Sequence, residues 1–188
     1  MTDKPTALDL PIVDPLPEAT QKYFDICQEK LGMVPNVLRA YAFDIDKLNA
    51  FTALYNDVML APSGLSKLER EMIAVAVSSA NKCYYCLTAH GAAVRQMSGD
   101  PRLGEMLVMN WRAAPLDARQ KAMLEFVEMV TLASARMGEK DRDALRQVGF
   151  SDRDIWDIAT VAAFYNMTNR IASATDMRPN DAYHAQAR

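Results

Sequence analysis

Hydrophobic residues recur at steps of three or four along most of this chain, which is the spacing typical of amphipathic helices. The clearest stripe follows Asp44 and consists of Leu48, Phe51, Leu54, Tyr55 and Val58. Alternation of period two does not extend beyond four residues, and the Asn-Gly and Asp-Gly pairs typical of β-hairpins do not occur. The pattern therefore predicts an all-α protein built as a multi-helix bundle.

Predicted helix starts support this interpretation. Ser66 and Ser151 are each followed three residues later by an acidic residue, as in a capping box or a close variant of it. Asp100 precedes a proline, and Asp117 precedes a glutamine by three positions, so both are further candidate N-caps.

The helices after Ser66 and Ser151 are both rich in Ala and Val. A duplicated helical unit would explain this likeness, and so would chance.

The chain divides by composition into an arm, one domain and a tail. Four of the nine prolines fall in residues 1–17, which predicts an extended arm because proline has no amide donor and restricts the residue before it. Residues 18–178 carry the helical pattern and are predicted to form a single all-α domain. Residues 179–188 are a polar tail, in which His184 is assigned no role.

Charge and hydropathy argue against several classes of protein. A net charge of −3 provides no basic surface for nucleic acid. No apolar run approaches the roughly 20 residues that span a bilayer, so no membrane association is expected. The N-terminal residues lack the pattern of a signal peptide, and three cysteines are too few for a secreted disulfide scaffold. A cytoplasmic location is the expectation.

The candidate chemistry lies in Cys83-Tyr84-Tyr85-Cys86, which is followed by His90 and preceded by Glu71. Residues three or four apart share a helix face, so Cys83, Cys86 and His90 are expected to converge. The two thiols can then form a disulfide, and His90 can accept the Cys86 proton. A helix-turn-helix would bring Glu71 beside His90, where it would orient the ring and favour its protonated form.

The start of this helix bears on thiol acidity. Asn81 is predicted to be its N-cap, which would put Cys83 in the first turn of a helix that runs to about Met97. A thiol there experiences the positive end of the helix dipole, and the neighbouring Lys82 acts in the same direction. The dipole thus favours Cys83 as the more acidic thiol, whereas the position of His90 favours Cys86 as the nucleophile.

Other interpretations of these residues remain open. The two cysteines and His90 could ligate zinc, with Glu71 or His184 as a fourth ligand, although a second ligand pair is missing from the sequence. The cysteines could also be packed without any function, since Cys behaves as a small hydrophobe. Core packing is the favoured interpretation of Cys27, which lies on an apolar stripe.

The order of Glu71, Cys83-x-x-Cys86 and His90 resembles the active-site signature of the alkyl hydroperoxidase D-like proteins, in the carboxymuconolactone decarboxylase-like superfamily. The segment from Leu31 to Tyr41 and the helix from Phe150 to Asn169 are similar to its uncharacterised peroxidase-related branch. The resemblance covers the chain from about residue 15. It implies an all-α bundle that assembles into trimers or hexamers.

The resemblance also implies roles for the residues. Cys86 would attack the peroxide, Cys83 would resolve the product to a disulfide, and His90 with Glu71 would relay protons. No metal or other cofactor is implied, and a thiol or lipoyl-type donor would reduce the disulfide. Well-studied members have a His where this chain has Tyr85, so one relay group is replaced by a phenol that is a poor base at neutral pH.

The sequence therefore predicts a cytoplasmic peroxidase that reduces a hydroperoxide through a cofactor-free dithiol. Two alternatives use the same residues differently. One is a protein disulfide reductase or redox sensor, and the other is a structural or zinc-binding helical protein. The decarboxylases of the superfamily lack the dithiol, which argues against lyase chemistry here.

Overall fold

The structure, a computed structural model, describes residues 4–188 and contains α-helices but no β-strand within that range. The prediction of an all-α bundle is confirmed. The helices are α1 (Glu18–Leu31), α2 (Asn36–Tyr41), α3 (Ile45–Tyr55), α4 (Lys67–Asn81), α5 (Tyr84–Ser98), α6 (Pro101–Asn110), α7 (Ala118–Ala133), α8 (Glu139–Gln147), α9 (Asp152–Ala174) and α10 (Ala182–Ala185). A π-helical turn, Asn56–Leu60, extends α3.

Four of the predicted helix starts form as the sequence predicts. Ser66, Asp117 and Ser151 each accept a hydrogen bond from the backbone amide three residues ahead, and the side chain at that position bonds back to close a capping box. Asp100 accepts from the Arg102 amide, and Pro101 occupies the first helical position. These bonds satisfy amides that a helix leaves unpaired at its N-terminus.

Helix α4 forms the centre of the bundle. It packs against α5, α6, α7 and α9, and Met72, Ile73, Ala74, Val75 and Val77 along it are fully buried. A helix surrounded on most sides must be apolar around most of its circumference, which explains its Ala- and Val-rich sequence. The two similar helices of the sequence, α4 and α9, pack directly against each other; their duplication stays a prediction.

The turn between α4 and α5 differs from the sequence prediction. Asn81 is the last residue of α4 and not an N-cap, Lys82 adopts a left-handed conformation with φ of 56°, and Cys83 is the N-cap of α5. The reason is tertiary, because the Asn81 amide donates to two asparagine side chains on α9. Cys83 therefore lies just before the first helical turn, still at the positive end of the α5 dipole.

The arm and the tail both run along the bundle. The Val13 amide donates to Ala42 O, and the Arg178 amide donates to Pro5 O, which joins the two ends of the chain. In the tail, α10 packs on α5. Arg95 of α5 is buried and donates to the carbonyls of Tyr183 and Gln186.

Residues 1–3 of the predicted arm lie outside the described range. No helix between residues 4 and 188 is both long and apolar enough to cross a bilayer.

Candidate active site

A carboxylate and an imidazole are paired between α4 and α5. Glu71 Oε2 lies 2.6 Å from His90 Nδ1, and the two side chains are 8% and 15% exposed. Since α5 folds back on α4 through the tight turn at Lys82, the Glu71 side chain meets a residue 19 positions later. The hydrogen bond gives Nδ1 the proton, which leaves Nε2 as the ring nitrogen that can exchange protons with a substrate.

Tyr165 of α9 completes the surroundings of this pair. Its hydroxyl oxygen lies 3.5 Å from His90 Nδ1, and its ring meets the imidazole edge-on with 4.7 Å between ring centroids. Burial raises the pKa of Tyr165 well above its ordinary value. The phenol therefore stays protonated and holds the ring plane of His90 in place.

The two cysteines predicted to form the dithiol are adjacent and buried, with Cys83 1% and Cys86 3% exposed. Both are free thiols in this structure. The Cys86 thiol donates to the Cys83 sulfur and lowers the pKa of Cys83 to about 6, against the opposing effect of burial. The same hydrogen bond and burial raise the pKa of Cys86. The opposite directions of the two pKa shifts favour the thiolate on Cys83 over the thiolate on Cys86.

Helix α9 supplies polar groups to both sulfurs. Asn169 opposes the rise in the pKa of Cys86, and Ser173, one turn later, contributes to the lowered pKa of Cys83. The sequence analysis missed both residues, as well as Ser78 and Tyr165. The signal that could have found Ser78 and Asn169 is a polar residue at a core position of an apolar helix, since they are 0% and 1% exposed.

A cavity of about 430 Å³ opens beside these groups, and Cys86, His90 and Glu71 form part of its wall. Cys83 is not one of the described residues that line it. The rest of the wall is mostly apolar and aromatic, and includes Leu38, Tyr41, Phe51, Tyr55, Met97, Phe164 and Ile171. Tyr41 stacks on Phe51 with ring centroids 4.5 Å apart, so this wall is closely packed. A small molecule in the cavity would reach the Cys86 side of the dithiol.

Tyr85, which stands where related proteins were expected to have a His, connects two helices. Its hydroxyl accepts a hydrogen bond of 2.9 Å from the Val37 amide at the start of α2. Burial raises the pKa of Tyr85 well above its usual range, so the phenol remains neutral. The side chain is part of the cavity wall, and it satisfies an amide that α2 would otherwise leave unpaired.

The remaining candidate residues are located as follows. Cys27 is buried in the core and also borders the cavity, and burial raises the pKa of its thiol. His184 is exposed in the tail, where Nε2 lies 3.2 Å from the Tyr84 hydroxyl. Across residues 4–188, no cluster of three or more His, Cys, Asp or Glu side chains is arranged to hold a metal ion.

Comparisons with known proteins give the family. Residues 46–129, which include the whole Glu71-to-His90 motif, match the model of the carboxymuconolactone decarboxylase family. A search of curated proteins found no significant match.

Solved structures match over nearly the whole chain. An uncharacterised peroxidase-related protein from Silicibacter sp. TM1040 is 72% identical, with a TM-score of 0.97 and all of both chains covered. A peroxidase-related protein from Ralstonia eutropha JMP134, described as an alkylhydroperoxidase AhpD core, is 40% identical, with a TM-score of 0.94 and coverage of 98% of this chain and 97% of that one.

The debrominase Bmp8 with a Cys-to-Ala substitution, solved with 2,3,4-tribromopyrrole, is 19% identical over 98% of this chain and 97% of that one. Its TM-score of 0.80 shows a shared fold.

Given the identity to the two peroxidase-related proteins over their full lengths, this chain belongs to the alkyl hydroperoxidase D-like proteins of the carboxymuconolactone decarboxylase-like superfamily.

Proposed function

We propose that this protein is a thiol-dependent peroxidase that reduces an organic hydroperoxide through a Cys83/Cys86 dithiol–disulfide cycle. The observation that carries the proposal is that Cys86 and the Glu71–His90 pair line the same cavity, which is large enough for a small organic molecule. A nucleophilic thiol, a resolving thiol and a proton donor are the groups that such a cycle requires.

Acidity and access favour different sulfurs as the nucleophile. Cys83 has the lower pKa, but it is 1% exposed and does not border the cavity. We assign the attack to Cys86, because the peroxide must contact the reacting sulfur. A proton, by contrast, can move along the hydrogen bond from Cys86 to the Cys83 thiolate. That transfer produces the Cys86 thiolate beside the bound peroxide.

The cycle then runs in two chemical steps. The Cys86 thiolate attacks the terminal oxygen of the hydroperoxide, the O–O bond breaks, and protonated His90 gives a proton to the departing alkoxide, which leaves as the alcohol. Cys86 is now a sulfenic acid. Cys83 loses its proton and attacks the Cys86 sulfur, which forms the disulfide and releases the hydroxyl group as water.

Two electrons must then return from a reductant. A thiol or a lipoyl-type dithiol on a narrow arm could enter the cavity and exchange with the disulfide. The alternative function, a protein disulfide reductase or redox sensor, requires a protein disulfide to contact these sulfurs. Their burial in the present conformation argues against it.

Thiol counting before and after oxidation tests the proposal. The unfolded, reduced protein should titrate three thiols per chain, since it contains three cysteines. After one equivalent of cumene hydroperoxide we expect one thiol per chain, because Cys83 and Cys86 form a disulfide while buried Cys27 stays reduced. One equivalent of the corresponding alcohol should appear. Three thiols with the hydroperoxide unconsumed would contradict the proposed function.

The apolar cavity wall predicts a preference for organic hydroperoxides over hydrogen peroxide. Ala93, on the α5 wall, is a position where a large side chain would fill the space. We expect Ala93→Phe to lower kcat/KM for cumene hydroperoxide by about tenfold to a hundredfold, as one badly placed apolar group changes transition-state binding by about 1–3 kcal/mol. Steady-state kinetics with both peroxides measures this effect.

Hydrogen peroxide is the internal control for Ala93→Phe, because it is small enough to reach Cys86 past the added ring. An equal loss for both peroxides would indicate a distorted site and would contradict the assigned cavity. A wild-type enzyme that prefers hydrogen peroxide would contradict it as well.

We also propose that the protein is a homo-oligomer, a trimer or hexamer as in its family. Several large apolar side chains are exposed on the single chain, including Leu60 at 55%, Leu132 at 64%, Trp156 at 71% and Met109 at 79%. Burying them between subunits would remove apolar surface from water. Light scattering should give three or six times the 21.0 kDa chain mass. A monomer at micromolar concentration would contradict this prediction.

A further inference from the structure

We propose that the C-terminal tail forms part of the substrate site and that Tyr183 is a specificity-determining residue, which contacts the organic group of the hydroperoxide. This inference rests on the proposed function for the identity of the substrate. It concerns residues 179–188, a tail in which the sequence predicted no functional residue.

Side chains of the tail belong to the wall of the cavity beside the dithiol. Tyr183 and Gln186 line this cavity together with Cys86 and His90, and both are partly buried. Met177, which precedes the tail and is 6% exposed, also lines the cavity. A ligand large enough to fill the cavity therefore contacts both the tail and the reacting groups of α5.

Arg95 holds the backbone of the tail against α5. Its side chain is buried, its Nε donates to Gln186 O at 3.0 Å, and its Nη2 donates to Tyr183 O at 2.9 Å. These are charge-assisted hydrogen bonds from a rigid, planar guanidinium. Because Arg95 lies on the helix that carries Cys86 and His90, one element positions both the tail and the reacting groups.

The neighbouring helix α6 leaves room for the Arg95 side chain. A Cβ atom at Gly104 would lie 2.7 Å from Arg95 Cγ and 3.0 Å from the carbonyl oxygen of Gly91. Both separations are too short for ordinary van der Waals contact. The lack of a side chain at position 104 therefore allows Arg95 to extend between α5 and α6 toward the tail.

Asn180 joins the tail to a second segment of the cavity wall. Its Oδ1 accepts from the Asn36 amide at 2.7 Å, and its Nδ2 donates to Val34 O at 3.0 Å. Asn36 Nδ2 in turn donates to Arg178 O at 2.9 Å. The segment held in this way, residues 33–38, contributes several apolar side chains to the cavity. The tail is thus fixed from two directions before a substrate binds.

The side chain of Tyr183 is suited to an organic group. Burial raises the pKa of Tyr183 to about 12, so the phenol is uncharged at neutral pH. Aromatic side chains supply large contact areas to apolar ligands, whereas hydrogen peroxide is too small to fill a cavity of about 430 Å³. Tyr183 therefore contributes more to the binding of organic hydroperoxides than to the binding of hydrogen peroxide.

Steady-state kinetics with two peroxides tests the role of Tyr183. We expect Tyr183→Ala to lower the ratio of kcat/KM for cumene hydroperoxide to kcat/KM for hydrogen peroxide by about tenfold, the size of effect that an apolar contact in a substrate pocket produces. The loss should appear mainly as a higher KM for cumene hydroperoxide, because the contact involves the part of the substrate that does not react.

His184→Ala is the matched control for Tyr183→Ala and should leave this ratio unchanged. His184 is the next residue of the tail, it is exposed, and it is not one of the described residues that line the cavity. An equal fall in the ratio for His184→Ala would overturn the assignment of Tyr183.

Arg95 is a positioning residue in this proposal, so its substitution should reproduce the effect on KM. We expect Arg95→Met, which donates no hydrogen bond to the tail, to lower the same ratio by about threefold to tenfold. Arg95→Lys should recover part of the loss, because an ammonium group can still donate to the two carbonyls. A lower melting temperature with an unchanged ratio would contradict the positioning role.

A binding measurement separates this proposal from peroxidase activity. In a Cys27→Ser/Cys83→Ser background, Cys86 is the only thiol. The alcohol formed from cumene hydroperoxide, 2-phenylpropan-2-ol, should protect Cys86 from alkylation by iodoacetamide. We expect Tyr183→Ala to raise the alcohol concentration that gives half protection by about tenfold, and His184→Ala to leave it unchanged.

Unchanged protection in Tyr183→Ala would overturn the proposal, and so would a failure of the alcohol to protect Cys86 at all. Neither result depends on whether the protein reduces a hydroperoxide. A failure of the proposed function would instead appear as unconsumed hydroperoxide in a protein whose Cys86 the alcohol still protects.

Discussion

Cys86→Ser is expected to abolish reaction with organic hydroperoxides, with a fall in the rate of at least about a thousandfold, because the nucleophile is removed. Cys83→Ser, in contrast, should consume one equivalent and stop. Without the resolving thiol, Cys86 remains a sulfenic acid, which a dimedone-type probe can trap and mass spectrometry can locate. Single-turnover peroxide consumption by the two variants measures the difference.

The two variants are matched controls for each other, since each exchanges one buried sulfur for oxygen. The lower pKa of Cys83 makes the opposite assignment a real competitor. If Cys86→Ser consumes one equivalent and carries the trapped sulfenic acid on Cys83, the roles assigned here are reversed. In that case acidity, and not access from the cavity, selects the nucleophile.

His90→Gln is expected to lower kcat by about a hundredfold to ten-thousandfold, which is the range that a positioned general acid supplies. The reason is that the departing alkoxide would have to take its proton from water. Glu71→Gln should reduce kcat less, because the imidazole remains but loses the carboxylate that fixes its ring at 2.6 Å. Stopped-flow measurement of thiol oxidation gives both effects.

The chain contains a natural control for this substitution. His184 is its only other histidine, and it lies exposed in the tail. We expect His184→Gln to retain the wild-type rate, so that a loss in His90→Gln reflects position and not histidine content. Wild-type kinetics in His90→Gln would remove the proton relay from the mechanism and leave only the dithiol.

The locations of the helices and the motif were predictable because they depend on neighbours in the sequence. Ser66, Asp117 and Ser151 cap helices through residues three positions away. The Cys83-x-x-Cys86 spacing likewise brings the sulfurs together by local geometry alone. The approach of Glu71 to His90 required one more step, the helix-turn-helix between α4 and α5 that the sequence analysis expected.

Asn81 illustrates where local inference fails. As a short polar residue before a helix it is a favourable N-cap, yet its amide bonds to Asn166 and Asn169, 85 and 88 positions away. Two hydrogen bonds in a buried network stabilise the fold more than one N-cap hydrogen bond would. The N-cap of α5 therefore lies two residues later, at Cys83. Tyr85 is a second example of a contact that local inference misses, because its hydroxyl accepts a hydrogen bond from the Val37 amide, 48 positions earlier.

The sequence by itself determined the helical class and four capped helix starts, and it identified the residues of the dithiol and its histidine, since capping and face-sharing act over three or four residues. Only the tertiary structure decided which sulfur borders the cavity and which polar side chains of α9 surround the turn before Cys83. Those properties depend on burial and on hydrogen bonds between groups 85 to 91 residues apart, such as Asn81 with Asn166 and Asn169 with Ser78. Sequence spacing does not encode such distances, because they arise when α9 packs across α4 and α5.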